Sequence, residues 1–474
     1  MVFSSITFLS LFLPLIFLLH WVAPKMWLKN GLLTVASLLF YAWGEPVYVY
    51  LMLFSVLVNW LFGLGIHRFF HQKKWWVATA VVVNIGLLFY FKYGNFAVEL
   101  LNYLPFVSME ATDIRLPIGI SFFTFQAMSY VFDVAKKEAN VQKNPIHLLL
   151  YISLFPQLIA GPIVKYHDVE AQIYSRSTTV NGTAKGIRRF VIGLAKKVLL
   201  ANQMALLADT IFALAPAQLD GLTAWIGAVA YLFQIYFDFS GYSDMAIGLG
   251  QMFGFNFLEN FRYPLVATGI QDFWRRWHIS LSTWFREYLY IPLGGNRKGT
   301  ARRYVNQFVV FFATGLWHGA NFTFILWGLL HGLFLSLETQ GIIPIRKVKQ
   351  NWIKRLYTLF VVTLLFVLFR ADNVAYALGY YQAMFSGFWE NIPTWSLVFP
   401  FFTTYMWYTV AMCFLASSEI LPWCKKRLET KGTLCRVPAG GVEVATYVVT
   451  FGLFLWCLLS LSTNGYNPFI YFRF

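Results

Sequence analysis

Long runs of apolar residues separated by short polar segments recur along the whole chain. A straight helix needs about 20 predominantly apolar residues to cross a bilayer. On this basis spans are predicted near residues 6–24, 31–44, 46–66, 75–93, 116–134, 198–214, 222–240, 304–317, 321–337, 353–369, 401–421 and 444–462. Because several runs are short, about 10–12 transmembrane helices are expected, some of them bent or buried. No polar linker divides the chain, so the pattern predicts one all-α polytopic membrane domain over residues 1–474.

Two segments depart from this pattern. Residues 146–164 contain Pro156, Gly161 and Pro162, and basic groups flank the segment on both sides. It is predicted to be re-entrant, since irregular backbone at membrane depth is tolerated where protein surrounds it. Residues 262–303 mix tryptophan and tyrosine with many arginines, which is typical of helices at the membrane interface. This second segment is expected on the cytoplasmic side.

Composition and charge agree with a membrane protein. The chain is 58% hydrophobic and 12% charged, whereas a soluble domain has about 25% charged residues. The net charge of +16 arises from basic residues in alternate loops, while 94–115 and 371–400 are poor in Lys and Arg. This positive-inside pattern predicts that the N-terminus and C-terminus are both extracytoplasmic, and it gives no reason to expect a nucleic-acid partner. The four cysteines lack the spacing of a metal or disulfide framework.

The N-terminal segment carries no basic residue before Lys25 and no small-residue cleavage site. It is therefore interpreted as a first membrane span rather than a cleaved signal peptide.

Two histidines lie in strongly apolar, tryptophan-rich sequence: His278 in FWRRWHISLSTW and His318 in TGLWHGANFTFILWG. Burying an imidazole is costly unless partners satisfy it, and histidine is the side chain that exchanges protons near neutral pH. These two residues are therefore candidates for proton transfer. The alternative is a structural histidine that bonds a neighbouring backbone carbonyl, and for His331 in WGLLHG the two interpretations stay open.

Five strings in order resemble the membrane-bound O-acyltransferase family. They are LPIGISFFTFQAMSY (116–130), LFPQLIAGPIVKYHD (154–168), YFDFSGYSDMAIGLG (236–250), FWRRWHISLSTWFREYLYIPLGGNRKG (273–299) and GLWHGANFTFILWGLLHG (315–332). Within the family they are similar to the bacterial branch that acetylates alginate or peptidoglycan. The resemblance implies a catalytic core over about 116–340 and an O-acyltransferase of the bacterial inner membrane.

The resemblance also implies substrates and partners. The donor would be cytosolic acetyl-CoA, with no bound cofactor or metal, and the acceptor an extracytoplasmic polysaccharide. An extracytoplasmic acetyltransferase of the serine-hydrolase-like SGNH type is expected as partner, besides membrane lipid. D-alanyl transfer to teichoic acid is an alternative in the same chemical class. A membrane transporter is the alternative of another class, since broken helices and buried histidines fit transporters as well.

His318 matches the family's catalytic histidine in WHG, and His278 matches its second position. Attack of a hydroxyl on a thioester needs a base, typically worth about 10²–10⁴ in rate. The residues adjoining these positions, Trp277, Trp317 and Asn321, are predicted to contact substrate. His331 is predicted to do so too.

Charged residues near the two histidines suggest further roles. Arg275 and Arg276 are predicted to bind the phosphates of coenzyme A, because guanidinium groups match phosphate oxygens. The alternative is that they anchor the segment on the cytoplasmic side. Asp238 and Asp244, in FDFSGYSD, need cationic partners in an apolar helix, and we expect these among the arginines of 275–286.

The sequence ends in FIYFRF, within an expected extracytoplasmic tail, 463–474. This tail resembles a motif of the same family branch, in which a tyrosine carries the acyl group. The resemblance implies that Tyr471 is a relay nucleophile, and a tyrosyl ester remains activated because phenol has a pKa near 10. An aromatic anchor at the interface is the alternative.

Overall fold

The computed structural model describes residues 1–388, 392–420, 422–424, 427, 439–463 and 465–470. Within these residues every regular element is a helix, as predicted. The chain forms two compact units. The first comprises residues 1–190, 243–259 and 283–289, and the second comprises 191–242, 260–282 and 290–474.

Among the described residues, the α-helices range from four residues, in Phe155–Leu158, to 32 residues, in Gly221–Met252. Those up to the start of the second unit are Phe8–Phe12 (a π-helix), Leu13–Val22, Met26–Ala42, Tyr48–Arg68, Lys73–Leu88, Phe89–Tyr93 (π), Gly94–Asn102, Ile120–Lys136, Pro145–Ser153, Phe155–Leu158, Tyr166–Tyr174 and Val180–Ala195. They are followed by Lys196–Ala201 (π), Asn202–Phe212, Gly221–Met252, Ile270–Arg276, Ile279–Phe285, Arg286–Tyr290 (π), Thr300–His318, Phe322–Gln340, Asn351–Arg370, Val374–Met384, Ile392–Val398, Thr404–Ser417 and Ala439–Thr463.

Seven helical segments are long and apolar enough to cross a membrane, among the described residues. They are Tyr48–Arg68, Phe70–Asn102, Val180–Phe212, Gly221–Met252, Phe322–Gln340, Asn351–Arg370 and Glu443–Thr463; a pair bent by 75°, Thr394–Phe401 with Thr404–Ser417, makes an eighth if it counts as one span. The all-α polytopic fold is confirmed. The number is lower than the 10–12 expected, because several predicted spans form helices of 17 residues or fewer, such as Met26–Ala42 and Ile120–Lys136.

The two segments that depart from the apolar pattern form short helices, while the re-entrant course of the first and the interfacial position of the second stay predictions. Residues 146–164 hold helices of only nine and four residues, Pro145–Ser153 and Phe155–Leu158. Residues 262–303 likewise hold short helices, including Ile270–Arg276 with seven residues. None of these is long enough to cross a bilayer.

Small residues set the packing of two neighbouring helices in the second unit, Thr300–His318 and Phe322–Gln340. A Cβ atom on Gly315 would overlap the backbone carbonyl of Phe324, and one on Gly328 would overlap that of Phe311. Glycine at both positions lets the two backbones approach, as small residues do between membrane helices. This close packing fixes the C-terminal end of the first helix, where His318 lies.

Candidate active site

His318 is the last residue of the helix Thr300–His318, and its side chain is buried. Its imidazole lies edge-on to three aromatic rings, with centroid distances of 5.0 Å to Trp317, 5.1 Å to Trp327 and 5.1 Å to Phe369. A helix end buried among rings holds the imidazole in one place. The packing therefore gives a fixed rather than a mobile side chain.

The turn after His318 is tight because Asn321 caps the next helix. Its Oδ1 accepts a hydrogen bond from the backbone N–H of Thr323 at 3.0 Å, and its Nδ2 donates to the carbonyl of Asp372 at 2.8 Å. Such a cap satisfies one of the helix's first N–H groups. These contacts give Asn321 a structural role in shaping the WHGAN turn.

His278 lies in strained backbone between two short helices. Its φ of +44° falls in the left-handed region, which is rare for a residue other than glycine, and its side chain is 1% exposed. Its Nδ1 lies 3.3 Å from Oδ1 of Asn260. The same Oδ1 accepts the backbone N–H of Ser280 at 3.1 Å, which identifies this atom as the amide oxygen. Strain of this kind persists where the surroundings over-determine it, often at functional sites.

This network fixes the tautomer of His278. Because Oδ1 of Asn260 can only accept, Nδ1 of His278 carries the proton and Nε2 keeps a lone pair. Nε2 is buried and has no hydrogen-bond partner among the described residues. Burial lowers the pKa of His278 to about 3, so the imidazole is neutral near pH 7. The result is a neutral ring with one buried acceptor atom.

Aromatic rings link the two histidines. The indole of Trp317 contacts both imidazoles, with centroid distances of 5.9 Å to His278 and 5.0 Å to His318. Phe239 lies 4.6 Å from the His278 ring and also lines the cavity beside His318. The structure thus brings the two sequence-predicted histidines and Trp317 into one cluster of the second unit.

A narrow cavity opens beside His318. Its walls are Ile235, Phe239, Trp277, His318, Trp327, Phe366, Phe369 and Ile470. Of these eight side chains, His318 is the one with an ionisable group, and the others are aromatic or aliphatic. An apolar wall strengthens electrostatic interactions inside the cavity and disfavours water there.

Segment 465–470 reaches this cavity through Ile470, which is buried on its wall. The backbone N–H of Ile470 donates to Oδ2 of Asp238 at 2.9 Å. Tyr471 follows directly in the sequence, but it lies outside the described residues. The structure therefore leaves the prediction for Tyr471 untested.

The residues predicted to bind substrate separate into two groups. Trp277 is buried, lines the His318 cavity and stacks on Phe273 at 5.5 Å, so it lies at the site. Arg276 instead pairs with Asp272 at 3.0 Å and with Glu419 at 2.9 Å, which occupies its guanidinium group. Arg275 is exposed and is not a wall of the cavity.

His331 supports the site from behind. Trp274 donates its indole N–H to Nδ1 of His331 at 3.2 Å. The His331 ring packs on Trp327 at 4.8 Å, and Trp327 in turn contacts His318. His331 is fully buried and does not line the cavity, so it is placed to hold Trp327.

The expected partners of Asp238 and Asp244 were wrong. Asp238 pairs with Lys197 at 2.7 Å, and Asp244 pairs with Arg189 at 2.8 Å. Both cations lie on the helical segment Val180–Phe212, and neither belongs to 275–286. Each buried aspartate does have a cationic partner, as expected, but the partners are Lys197 and Arg189, which lie about 40 to 55 positions earlier in the sequence.

Two residues at the site were missed by the sequence analysis. Asn260 orients His278, and Lys197 pairs with Asp238, which accepts the backbone N–H of the cavity residue Ile470. Neither residue belongs to a sequence motif from which its role could be predicted. The one available signal for Lys197 was the pair Lys196 and Lys197 within the otherwise apolar run 190–201, which implies a buried partner.

Comparison with known proteins identifies the family. Residues 100–378 match the membrane-bound O-acyltransferase family. A protein of Pseudomonas putida named probable alginate O-acetylase is 40% identical over 100% of both chains. The peptidoglycan O-acetyltransferase of Helicobacter pylori is 38% identical over 81% of this chain and 80% of its own. The teichoic acid D-alanyltransferase of Bacillus subtilis is 29% identical over 46% of this chain and 58% of its own. The transporter alternative is thereby set aside, because the chain belongs to the membrane-bound O-acyltransferase family and is an O-acyltransferase.

Proposed function

We propose that this multi-pass membrane protein moves acetyl groups from cytosolic acetyl-CoA across the bacterial inner membrane, for O-acetylation of an extracytoplasmic polysaccharide of the alginate or peptidoglycan class. The observation that carries the proposal is a buried histidine, His318, on the wall of an apolar cavity that the C-terminal segment also reaches. Relatives named for alginate and peptidoglycan acetylation support the choice of acceptor.

The chemistry requires a proton acceptor. In this proposal His318 takes the proton of the attacking hydroxyl while the oxygen bonds to the thioester carbonyl carbon. The C–S bond then breaks, and the imidazolium returns the proton to the departing thiolate. The neutral His278 accepts a hydrogen bond from the substrate through Nε2, which Asn260 leaves unprotonated.

The attacking hydroxyl is that of Tyr471. Support comes from Ile470, the preceding residue, whose side chain forms part of the wall on which His318 lies. The resulting aryl ester has a phenolate leaving group, so it can pass acetyl on to the serine of an SGNH-type extracytoplasmic partner. Both chain ends are extracytoplasmic in this scheme.

The test is acetyl transfer by the purified full chain with radiolabelled acetyl-CoA. We expect His318→Ala to reduce transfer by at least about 10²-fold, the lower bound for loss of a general base. His147→Ala, a partly buried histidine of the first unit, is the matched control and should retain transfer. Wild-type transfer by a normally folded His318→Ala protein would refute the assignment.

Tyr471→Phe separates the relay from the anchor. This change keeps the aromatic ring and removes only the hydroxyl, so the relay predicts loss of transfer with normal membrane insertion. Mass spectrometry of the C-terminal peptide, seeking added acetyl when the partner is absent, gives the direct measurement. A D-alanyl donor in the same assay tests the alternative acyl group.

A further inference from the structure

A buried ion pair lies in the second unit beside the C-terminal segment. The π-helical turn Lys196–Ala201 carries Lys197, and π turns are rare and often occur at functional sites. Its Nζ lies 2.7 Å from Oδ1 of Asp238, and the two side chains are 4% and 3% exposed. Taking two charges out of water is costly unless their remaining donors and acceptors are also satisfied.

The C-terminal segment supplies those partners through its backbone. Nζ of Lys197 donates to the carbonyl of Pro468, and the N–H of Ile470 donates to the second carboxylate oxygen of Asp238 at 2.9 Å. Lys197 and Asp238 thus bind a backbone carbonyl and a backbone N–H that belong to residues two positions apart, Pro468 and Ile470. Because both contacts are to the main chain, they fix the position of the segment whatever side chains it carries.

Two further contacts hold the residues just before this stretch. The Asn202 amide donates to Asn467 at 3.2 Å. The hydroxyl of Tyr466 donates to Asp209, whose other oxygen pairs with Arg370 at 2.7 Å.

These contacts give the segment a direction. As the segment advances from Tyr466 to Pro468, its contacts on the helical segment Val180–Phe212 move back from Asp209 to Lys197. It therefore runs antiparallel to this helical segment as it approaches Ile470 and the His318 cavity.

We propose that the Lys197–Asp238 ion pair is a backbone clamp that positions the C-terminal segment for acyl transfer at the His318 cavity. Neither residue lines the cavity, so both are positioning residues rather than catalytic ones. The inference rests on the proposed function, since a positioned segment matters for transfer only if it carries the acyl group. Charge-assisted hydrogen bonds are stronger than neutral ones, so release of the segment would lose two strong contacts at once.

The experiment measures the docking of the segment without using activity. In the full chain with its four native cysteines replaced, Ile470→Cys puts a thiol at the buried cavity wall, and N-ethylmaleimide reports how often it becomes accessible. The double variant Lys197→Met with Asp238→Leu removes both charges together, so no unpaired charge stays buried. We expect labelling to become at least about tenfold faster in this variant, because local opening then costs less.

A matched control removes an ion pair elsewhere. Lys165→Met with Glu287→Leu deletes a 2.8 Å pair of the first unit and should leave labelling slow. Labelling that stays equally slow in the Lys197 and Asp238 double variant would overturn the clamp. If the Lys197 and Asp238 double variant does not fold, the clamp is tested instead by hydrogen exchange of the Ile470 amide in the unaltered chain. Slow exchange supports the clamp, and exchange as fast as in an unstructured peptide overturns it.

Transfer assays connect docking to function. With Ile470 restored, the double variant should lose at least about tenfold in transfer of acetyl, since reacting groups that are no longer held lose effective concentration. Faster labelling combined with full transfer would overturn the positioning role. Tyr471→Phe distinguishes the two proposals: it should abolish transfer with slow labelling kept. Retained transfer in Tyr471→Phe would refute the relay through Tyr471. The labelling rates would still test the clamp independently.

Discussion

At the scale of single residues, the chemistry of His278 depends on a partner 18 positions away. Asn260 is fully buried, and its Oδ1 receives hydrogen bonds from Ser280 and from Nδ1 of His278. One oxygen thereby holds the imidazole in a single orientation and tautomer. A buried acceptor shared in this way has no substitute, so its loss would leave several donors unsatisfied.

The variant Asn260→Ala is expected to lower acetyl transfer by about 10–100-fold, by analogy with residues that orient metal-bound histidines, whose removal has an effect of this size. The stability should fall by about 1–3 kcal/mol, because buried donors lose their acceptor. Steady-state transfer and thermal unfolding of the purified protein measure the two effects. Unchanged transfer in the Asn260→Ala variant would show that Asn260 has no role in acetyl transfer.

The variant Asn260→Asp keeps the acceptor and adds a negative charge beside Nδ1–H. That charge favours the imidazolium and raises the pKa of His278 from the value of about 3 that burial imposes. His278 would then become protonated at Nε2 as the pH falls through the raised pKa. We expect the acidic limb of the pH–rate profile to move to higher pH relative to wild type. Identical limbs in the two proteins would show that Nε2 of His278 need not be unprotonated for transfer.

At the scale of elements, the site depends on how closely two helices approach. His318 ends one helix, and its position follows from the contacts of Gly315 and Gly328 between that helix and the next. A methyl group on Gly328 would overlap the carbonyl of Phe311 and push the helices apart. Displacement of about 1 Å at reacting groups can cost 10²-fold in rate.

Gly328→Ala is therefore expected to destabilise the protein by about 1–3 kcal/mol, the usual cost of overpacking, and to reduce transfer of acetyl at least about tenfold. Gly452→Ala is the matched control: it lies in the helix Ala439–Thr463, and its added methyl group meets no atom within 4 Å. The control should be neutral or slightly stabilising, by roughly 0.5–1 kcal/mol. Thermal unfolding in detergent compares the two, and equal stabilities would contradict the packing argument.

The long apolar runs predicted the helices that are long and apolar enough to cross a membrane, such as Tyr48–Arg68 and Asn351–Arg370, because length and hydropathy suffice to identify them. Some segments that were predicted as spans form shorter helices, such as Met26–Ala42. Hydropathy alone does not distinguish a helix that crosses the membrane from a helix buried in the protein. The π-helical turn Lys196–Ala201 was not predicted, as its register shift has no signature in the apolar pattern.

At the scale of the whole molecule, the sequence located the motifs but not the contacts between distant segments. His278 and His318 were recognisable because each interrupts an apolar stretch with an ionisable group. The contacts of Lys197 with Pro468 and of Asp238 with Ile470 join residues 271 and 232 positions apart. No local pattern encodes such pairs, so these contacts of the C-terminal segment emerged only from the fold.

The charge pattern makes a prediction about the orientation of the whole chain in the membrane. Loop 94–115 is poor in basic residues, whereas 346–355 is rich in them, and the positive-inside rule assigns these two segments to opposite sides. Phe106 is 97% exposed, and Lys349 is exposed as well, so cysteines at these positions would be accessible to solvent. In a chain without its native cysteines, we expect an impermeant maleimide to label Phe106→Cys on intact spheroplasts. Lys349→Cys should react only after the membrane is permeabilised. Labelling of Lys349→Cys alone from outside would reverse the orientation and with it the side from which the donor must enter. Labelling of both positions from outside would contradict the assignment of the two segments to opposite sides.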